Sequence, residues 1–155
     1  MAGFSLRKSD DDTGIWTPFG PEPTAEEQAR GIVQEAYQIR PLGPQNMAHC
    51  RQLATRRVMR NGVLVDDQES EEYRKRYEMA LADYLVVAWQ GVYLDDAKTE
   101  AAECNLEHKY ALYQQSLERQ NFWISQARLY ADDDTARKEA ERQSFRPART
   151  ALAGL

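Results

Sequence analysis

The sequence predicts a mainly α fold: a single helical domain with at most a small β-hairpin or short edge strand, and an extended N-terminal arm. Two observations carry that prediction. Tyr73, Tyr77, Ala80, Leu81, Tyr84, Leu85 and Ala88 recur at spacings of three and four, one apolar stripe on a helix. A second such stripe follows at Leu106, Tyr110, Tyr113 and Leu117, whereas only two short stretches alternate as strands do. The division that results is an arm over residues 1–23, a helical domain over 24–143 and a frayed tail over 144–155.

The arm comes first. Residues 10–12, Gly14, Pro18, Gly20, Pro21 and Pro23 oppose regular structure, yet Phe4, Ile15, Trp16 and Phe19 sit among them. Large aromatics are seldom left in water, so Trp16 and Phe19 either fold back onto the domain's own core or anchor in a partner's groove. Thr24-Ala-Glu-Glu27 is a capping box that starts a short helix near Ala25, weakened by Gly31. Tyr37 and Ile39 alternate in a short edge strand or extended segment stopped by Pro41. Gly43-Pro44 opens the next helix, with Met47, Cys50, Ala54 and Val58 on its buried face. That helix is expected to run to about Arg57. The pair Asn61-Gly62 between Val58-Met59-Arg60 and Val63-Leu64-Val65 permits a small hairpin after it.

The central helix covers residues 70–92, with Asp66 and Asp67 as candidate N-caps and Gly91 as its stop signal. Its C-terminal end, Leu85-Val86-Val87-Ala88-Trp89, is crowded with apolar residues, is expected to be buried on more than one side and marks the centre of the core, together with Tyr77 and Leu81. A turn-containing connector follows from Val92. Asn105 is a candidate cap for the helix through Leu106. Phe122, Trp123, Ile124, Ala127 and Tyr130 extend the apolar pattern. Asp132, Asp133 and Asp134 are suited to cap a last helix reaching Gln143.

Length and composition bound the rest. The 155 residues suffice for one domain with a sizeable core. Apolar residues make up 42 % and the mean hydropathy is −0.75, and no apolar run approaches the ~20 residues of a membrane helix. The first ten residues lack the apolar centre of a signal peptide, so the cytoplasm is the expected compartment and Cys50 and Cys104 are expected as reduced thiols. A net charge of −5 argues against a duplex nucleic-acid binder, with only Arg51, Arg56, Arg57 and Arg60 clustered on the other side.

Candidate chemistry is sparse. Cys104 and His108 lie four apart, as two zinc ligands on one helix face would. His49 and Cys50 are adjacent and point about 100° apart on a helix, so no metal and no cofactor is expected. The acidic pairs Asp66-Asp67 and Asp95-Asp96 and the run Asp132 to Asp134 each adjoin a predicted helix, where capping accounts for them. The phosphate-binding loop, nucleophile elbow and dinucleotide fingerprint are all missing, so no catalytic residue is assigned.

One resemblance adds to this reading. Ile39-Arg40-Pro41-Leu42, a basic helix, the segment Val65-Asp66-Asp67, and a helix ending Val86-Val87-Ala88-Trp89-Gln90-Gly91-Val92 before Asp95-Asp96 together resemble the tail assembly chaperones of long-tailed bacteriophages. The resemblance spans residues 37–130. It departs from the family where Ala97-Lys98-Thr99-Glu100 stands in place of an Asp-Gly turn and a Pro/Thr-rich helix start, and the aromatic arm has no counterpart. It implies a non-enzymatic assembly factor of the host cytoplasm whose partners are the tape measure protein and the tail tube protein, with self-association left open. The aromatics suited to partner contact are Trp16, Phe19, Tyr110, Tyr113 and Trp123. The alternative is a structural virion subunit of the tail or the head–tail connector.

Overall fold

A computed structural model describes residues 14–153, with the side chains of residues 14–143. Phe4 and residues 10–12 of the expected arm lie outside the described residues, as do the side chains of the expected tail. In chain order the elements are β1 (Ile15–Pro18), α1 (Ala25–Ala29), β2 (Ala36–Ile39), α2 (Pro44–Ala54), β3 (Arg56–Arg60), β4 (Val63–Asp67), α3 (Glu71–Leu85), β5 (Val86–Gln90), α4 (Leu106–Gln115) and α5 (Leu117–Ala153). The strands form a three-stranded antiparallel sheet in the order β1-β2-β5 and a separate β3-β4 hairpin. The fold is therefore mixed α and β, which overturns the expectation of a mainly α domain with at most one hairpin or edge strand.

The difference begins where the central helix was expected to continue. After Leu85 the backbone turns extended, with Val86 at φ −114°, and Val86–Gln90 becomes a strand. Val86 and Val87 are β-branched and Trp89 is aromatic, residue types that suit a pleated surface, and the strand they form is the sheet edge beside β2. Tyr37 pairs with Trp89, Gln38 with Ala88 and Ile39 with Val86, with a bulge between Gln38 and Ile39. Gly91 does not end a helix. It ends this strand, at φ +70°.

β2, in contrast, is central in its sheet and not an edge. On its other side, Ile15 pairs with Ile39 and Thr17 with Tyr37, and Phe19 N–H donates to Glu35 C=O at 2.8 Å. Residues 15–18 of the expected arm are thus built into the sheet. Strand alternation puts Thr17, Tyr37 and Trp89 on one face and Trp16, Gln38 and Ala88 on the other. The first face meets the helices. Tyr37, Ile39, Leu42, Cys50, Leu81, Leu85, Val86, Tyr113, Trp123 and Ala127 form one buried cluster there. Tyr77 and Trp89, both expected at its centre, are half-buried and pack against it.

The chain leaving β2 is stitched to two helices. Arg40 N–H donates to Leu85 C=O at 3.0 Å, and Leu42 N–H to Ala127 C=O at 2.9 Å. The Tyr84 hydroxyl donates to Pro41 C=O at 2.5 Å, with the Arg40 guanidinium 5.3 Å from the Tyr84 ring. Local signals place the helix starts. Thr24 and Glu27 form the capping box of α1. Pro44 opens α2, and the Asn105 side chain accepts from His108 N–H ahead of α4. α2 stops at Ala54, before the expected Arg57, because Arg56–Arg60 pairs with β4 across the Asn61-Gly62 turn, both of whose residues take positive φ. Asp132, Asp133 and Asp134 cap nothing. They lie inside α5, where Asp134 pairs with Arg137 at 2.7 Å and Lys138 at 2.9 Å. The backbone over 144–153 continues that helix.

Neither Asp66 nor Asp67 caps α3. Ser70 does, accepting from Tyr73 N–H at 3.1 Å. Asp67 is buried at the end of β4 and holds the cap in place. It accepts from Ser70 N–H at 3.1 Å, Glu69 N–H at 3.3 Å and the Ser70 hydroxyl, and it meets Arg60 at 3.2 Å. The Ser70 hydroxyl keeps the carboxyl below its ordinary value of 3.8, against the opposing effect of burial; the two amides and Arg60 add to the lowering. The sign follows from the depressed folded value. The stabilisation is complete above the ordinary carboxylate range and is lost as pH falls through the lower, folded value. Acid titration of the Asp67→Asn variant by circular dichroism is expected to show lower stability at neutral pH. It is also expected to show a shallower decline below about pH 4 than the parent. A parallel decline in both proteins would remove Asp67 from the acid response.

Candidate partner-binding surface

The five aromatics suited to partner contact fall into three settings. Tyr113 and Trp123 are interior residues, 4 % and 0 % exposed, and cannot touch a partner in the folded chain. Trp123 sits edge-on to Tyr37 with ring centroids 5.2 Å apart, and tilted against Tyr113 at 6.4 Å. Helical spacing brought them forward, and the same spacing is what a buried face requires.

Phe19 is half-buried at the rim of this core. Its ring is edge-on to Phe122 at 4.8 Å and to Tyr37 at 6.2 Å, and the Arg119 guanidinium lies 4.9 Å from its centroid. Arg119 is held in a fork by Glu35, Nε to Oε2 at 2.6 Å and a second nitrogen to Oε1 at 2.8 Å. It also donates to the Tyr37 hydroxyl at 3.2 Å, while that hydroxyl donates to Glu35. Glu35 holds the Arg119 guanidinium above its ordinary value, and burial, with Glu35 adding to it, pushes the Tyr37 phenol up. The cluster ties β2 to the start of α5. Sequence pattern could not show it, because Glu35 and Arg119 are far apart in the chain. It borders a cavity of about 260 Å³ that is also lined by Tyr93, Asp95, Asp96 and Lys98. There Asp95 accepts from the amides of Thr99 and Glu100 at 3.0 Å and so closes the connector loop. Lys98 bonds Glu27 of α1 at 2.8 Å. These carboxylates serve loop and ion-pair structure.

Two aromatics remain at the surface. Trp16 is half-buried on the sheet face opposite the helices. Tyr110 lines an open cleft of about 460 Å³ with Met79, Leu106, Glu107, Ala111, Gln114 and Gln115. α3 supplies Met79 and α4 the rest. The two helices are bolted beside the cleft by the buried Lys109, whose ammonium reaches the Asp83 carboxylate at 3.0 Å. Gln114 Nε2 donates to the Tyr110 hydroxyl at 2.7 Å, fixing that ring along the wall. Leu106 is 40 % exposed at one end. The floor is apolar and the rim carries amides and one carboxylate, the chemistry of a surface that receives an apolar side of a helix.

His108 Nδ1 lies 2.6 Å from Glu103 C=O and the Cys104 thiol lies near Val87 C=O, while His49 is exposed and Cys50 buried. Among the described residues no three His, Cys, Asp or Glu side chains converge for a metal ion, and no helix is long and apolar enough to cross a membrane. Of the clustered arginines, Arg56, Arg57 and Arg60 sit on β3, where Arg57 pairs with Asp66 at 3.7 Å and Arg60 with Asp67. No protein-family model, no curated protein and no solved structure matches the chain.

Proposed function

We propose that this chain is a non-enzymatic bacteriophage tail assembly chaperone that works in the host cytoplasm. It binds an apolar helical segment of the tape measure protein, and tail tube subunits displace it as they assemble. The observation that carries the reading is the apolar cleft between α3 and α4, walled by Met79, Leu106, Tyr110 and Ala111. Its support is the resemblance over residues 37–130. The two main boxes of that resemblance, Ile39 to Leu42 and Val86 to Val92, are neighbours in this fold through the β2–β5 pairing. A tape measure helix presents apolar residues that need cover until the tube encloses them, and a cleft with an aromatic wall supplies that cover.

Co-expression with the long tail protein is expected to raise its soluble fraction. The double variant Leu106→Ala, Tyr110→Ala is expected to weaken the complex roughly 30-fold, the loss typical of one aromatic anchor at ~2 kcal/mol, with the melting temperature little changed. Trp16→Ala tests the opposite sheet face in the same assay. A complex of unaltered affinity in the double variant would take the cleft out of the mechanism. Mass spectrometry of purified virions separates the alternative: a chaperone is absent from them, and a structural subunit is present in fixed copy number.

A further inference from the structure

We propose that the β3–β4 hairpin joins two copies of this chain, with β4 of one lying antiparallel to β4 of the other around a two-fold axis at Leu64. The proposal is independent of the chaperone reading and of the cleft.

The hairpin is a two-stranded sheet that no other strand extends, so both of its long edges are open among the described residues. Two strands alone are marginal in water. The hairpin also carries an unusual apolar load for an exposed element: Met59, Val63 and Leu64 are 64 %, 59 % and 52 % exposed. Its two edges differ in charge. β3 reads Arg-Arg-Val-Met-Arg, so a second β3 beside it doubles three arginines on one seam, and charge guards that edge as it does in many sheet proteins. β4 reads Val-Leu-Val-Asp-Asp, and its first three residues carry no charge.

The ladder geometry selects the register. Across the two-residue turn Arg60 faces Val63, Met59 faces Leu64 and Val58 faces Val65. In an antiparallel pair the hydrogen-bonding residues alternate, and the residues flanking a two-residue turn bond inward. Leu64 and Asp66 therefore send their N–H and C=O to the outer edge. Placing Leu64 opposite its copy sets Val63 against Val65 and Asp66 against Gly62 of the second chain. No like charges meet. On one face, Met59, Leu64 and their copies align in a single apolar row across four strands. On the other, each Val63 meets a Val65. The arginines end on the outer edges of the new sheet, where they discourage further growth. The contact is isologous and closes at two copies.

Sedimentation equilibrium of the full chain is expected to give a monomer–dimer equilibrium. Leu64→Arg, with an unaltered circular dichroism spectrum, is expected to raise the dissociation constant on the order of 100-fold, about tenfold for each substituted copy. A short bifunctional maleimide is expected to cross-link Leu64→Cys dimers. It should not link Met59→Cys dimers, whose thiols lie three strand spacings apart at about 14 Å. The parent chain is the control for Cys50 and Cys104. A chain that sediments as a monomer at every concentration overturns the proposal, as does a Leu64→Arg chain that still dimerises. Mass that grows without limit would mean β3-to-β4 pairing between copies and also overturns it. So does a monomer whose Leu64→Arg variant loses the tape measure protein, since the edge would then belong to a partner strand.

Discussion

Trp123→Ala is expected to destabilise the fold by about 3–5 kcal/mol, the range for deleting a fully buried large aromatic. Trp123 is the largest wholly buried side chain, and it links β2, α4 and α5 through Tyr37, Tyr113 and Ala127. At this chain length such a loss lowers the melting temperature by roughly 10 °C. Trp123→Phe is expected to cost much less. It keeps a ring against Tyr37, and it removes an indole N–H that has no hydrogen-bond partner among the described residues. An unpartnered buried donor is itself unfavourable by about 1–3 kcal/mol, so its removal offsets part of the lost volume. Urea melts of the three proteins decide the matter. A Trp123→Ala loss under ~1 kcal/mol would return this residue to the surface and to the list of partner contacts.

Gly91→Ala is the second large effect, expected at 2 kcal/mol or more, roughly the sum of left-handed backbone strain and a steric conflict. A Cβ there would stand 2.7 Å from the Glu35 Cα and nitrogen and 2.8 Å from the Gln34 carbonyl carbon. Those are backbone atoms leading into β2, so relief requires parting the β2–β5 seam. Gly20 isolates the two contributions: it has φ +77° with nothing within 4 Å of a Cβ. Gly20→Ala is expected to cost only the strain, about 1 kcal/mol. Equal losses at the two positions would show that the close approach at Gly91 does not constrain the fold.

The same glycine shows how the sequence divides. A glycine after an apolar run reads as a helix stop, and the run Leu85 to Trp89 before it then reads as helix. A short apolar stretch carries no periodicity of its own, so local pattern cannot separate a buried helix end from a packed strand. The adjacent valines and the tryptophan at 89 were the available signal for a strand. Trp123 and Tyr113 show the same ambiguity in three dimensions. An aromatic stripe on a helix looks alike whether it meets a partner or the protein's own core.

The sequence by itself determined the features whose cause lies within four residues. These are the capping box at Thr24 and Glu27, the proline start of α2, the Asn61-Gly62 turn, the Asn105 cap and the apolar stripe of α3. Each is a hydrogen bond or a dihedral preference set by near neighbours. Tertiary structure alone decided what depends on distant partners. Val86–Gln90 became a strand because β2 lies beside it, and β2 became central because β1 folds onto its other edge. The acidic run at Asp132 to Asp134 passed into the middle of α5, and Ser70 took the cap that Asp67 supports. The apolar cleft also belongs to this second group, since Met79 and Tyr110 meet only when α3 and α4 pack. Strand pairing and helix packing join groups whose chain separation is large, and the free energy of those contacts appears only once the chain has closed.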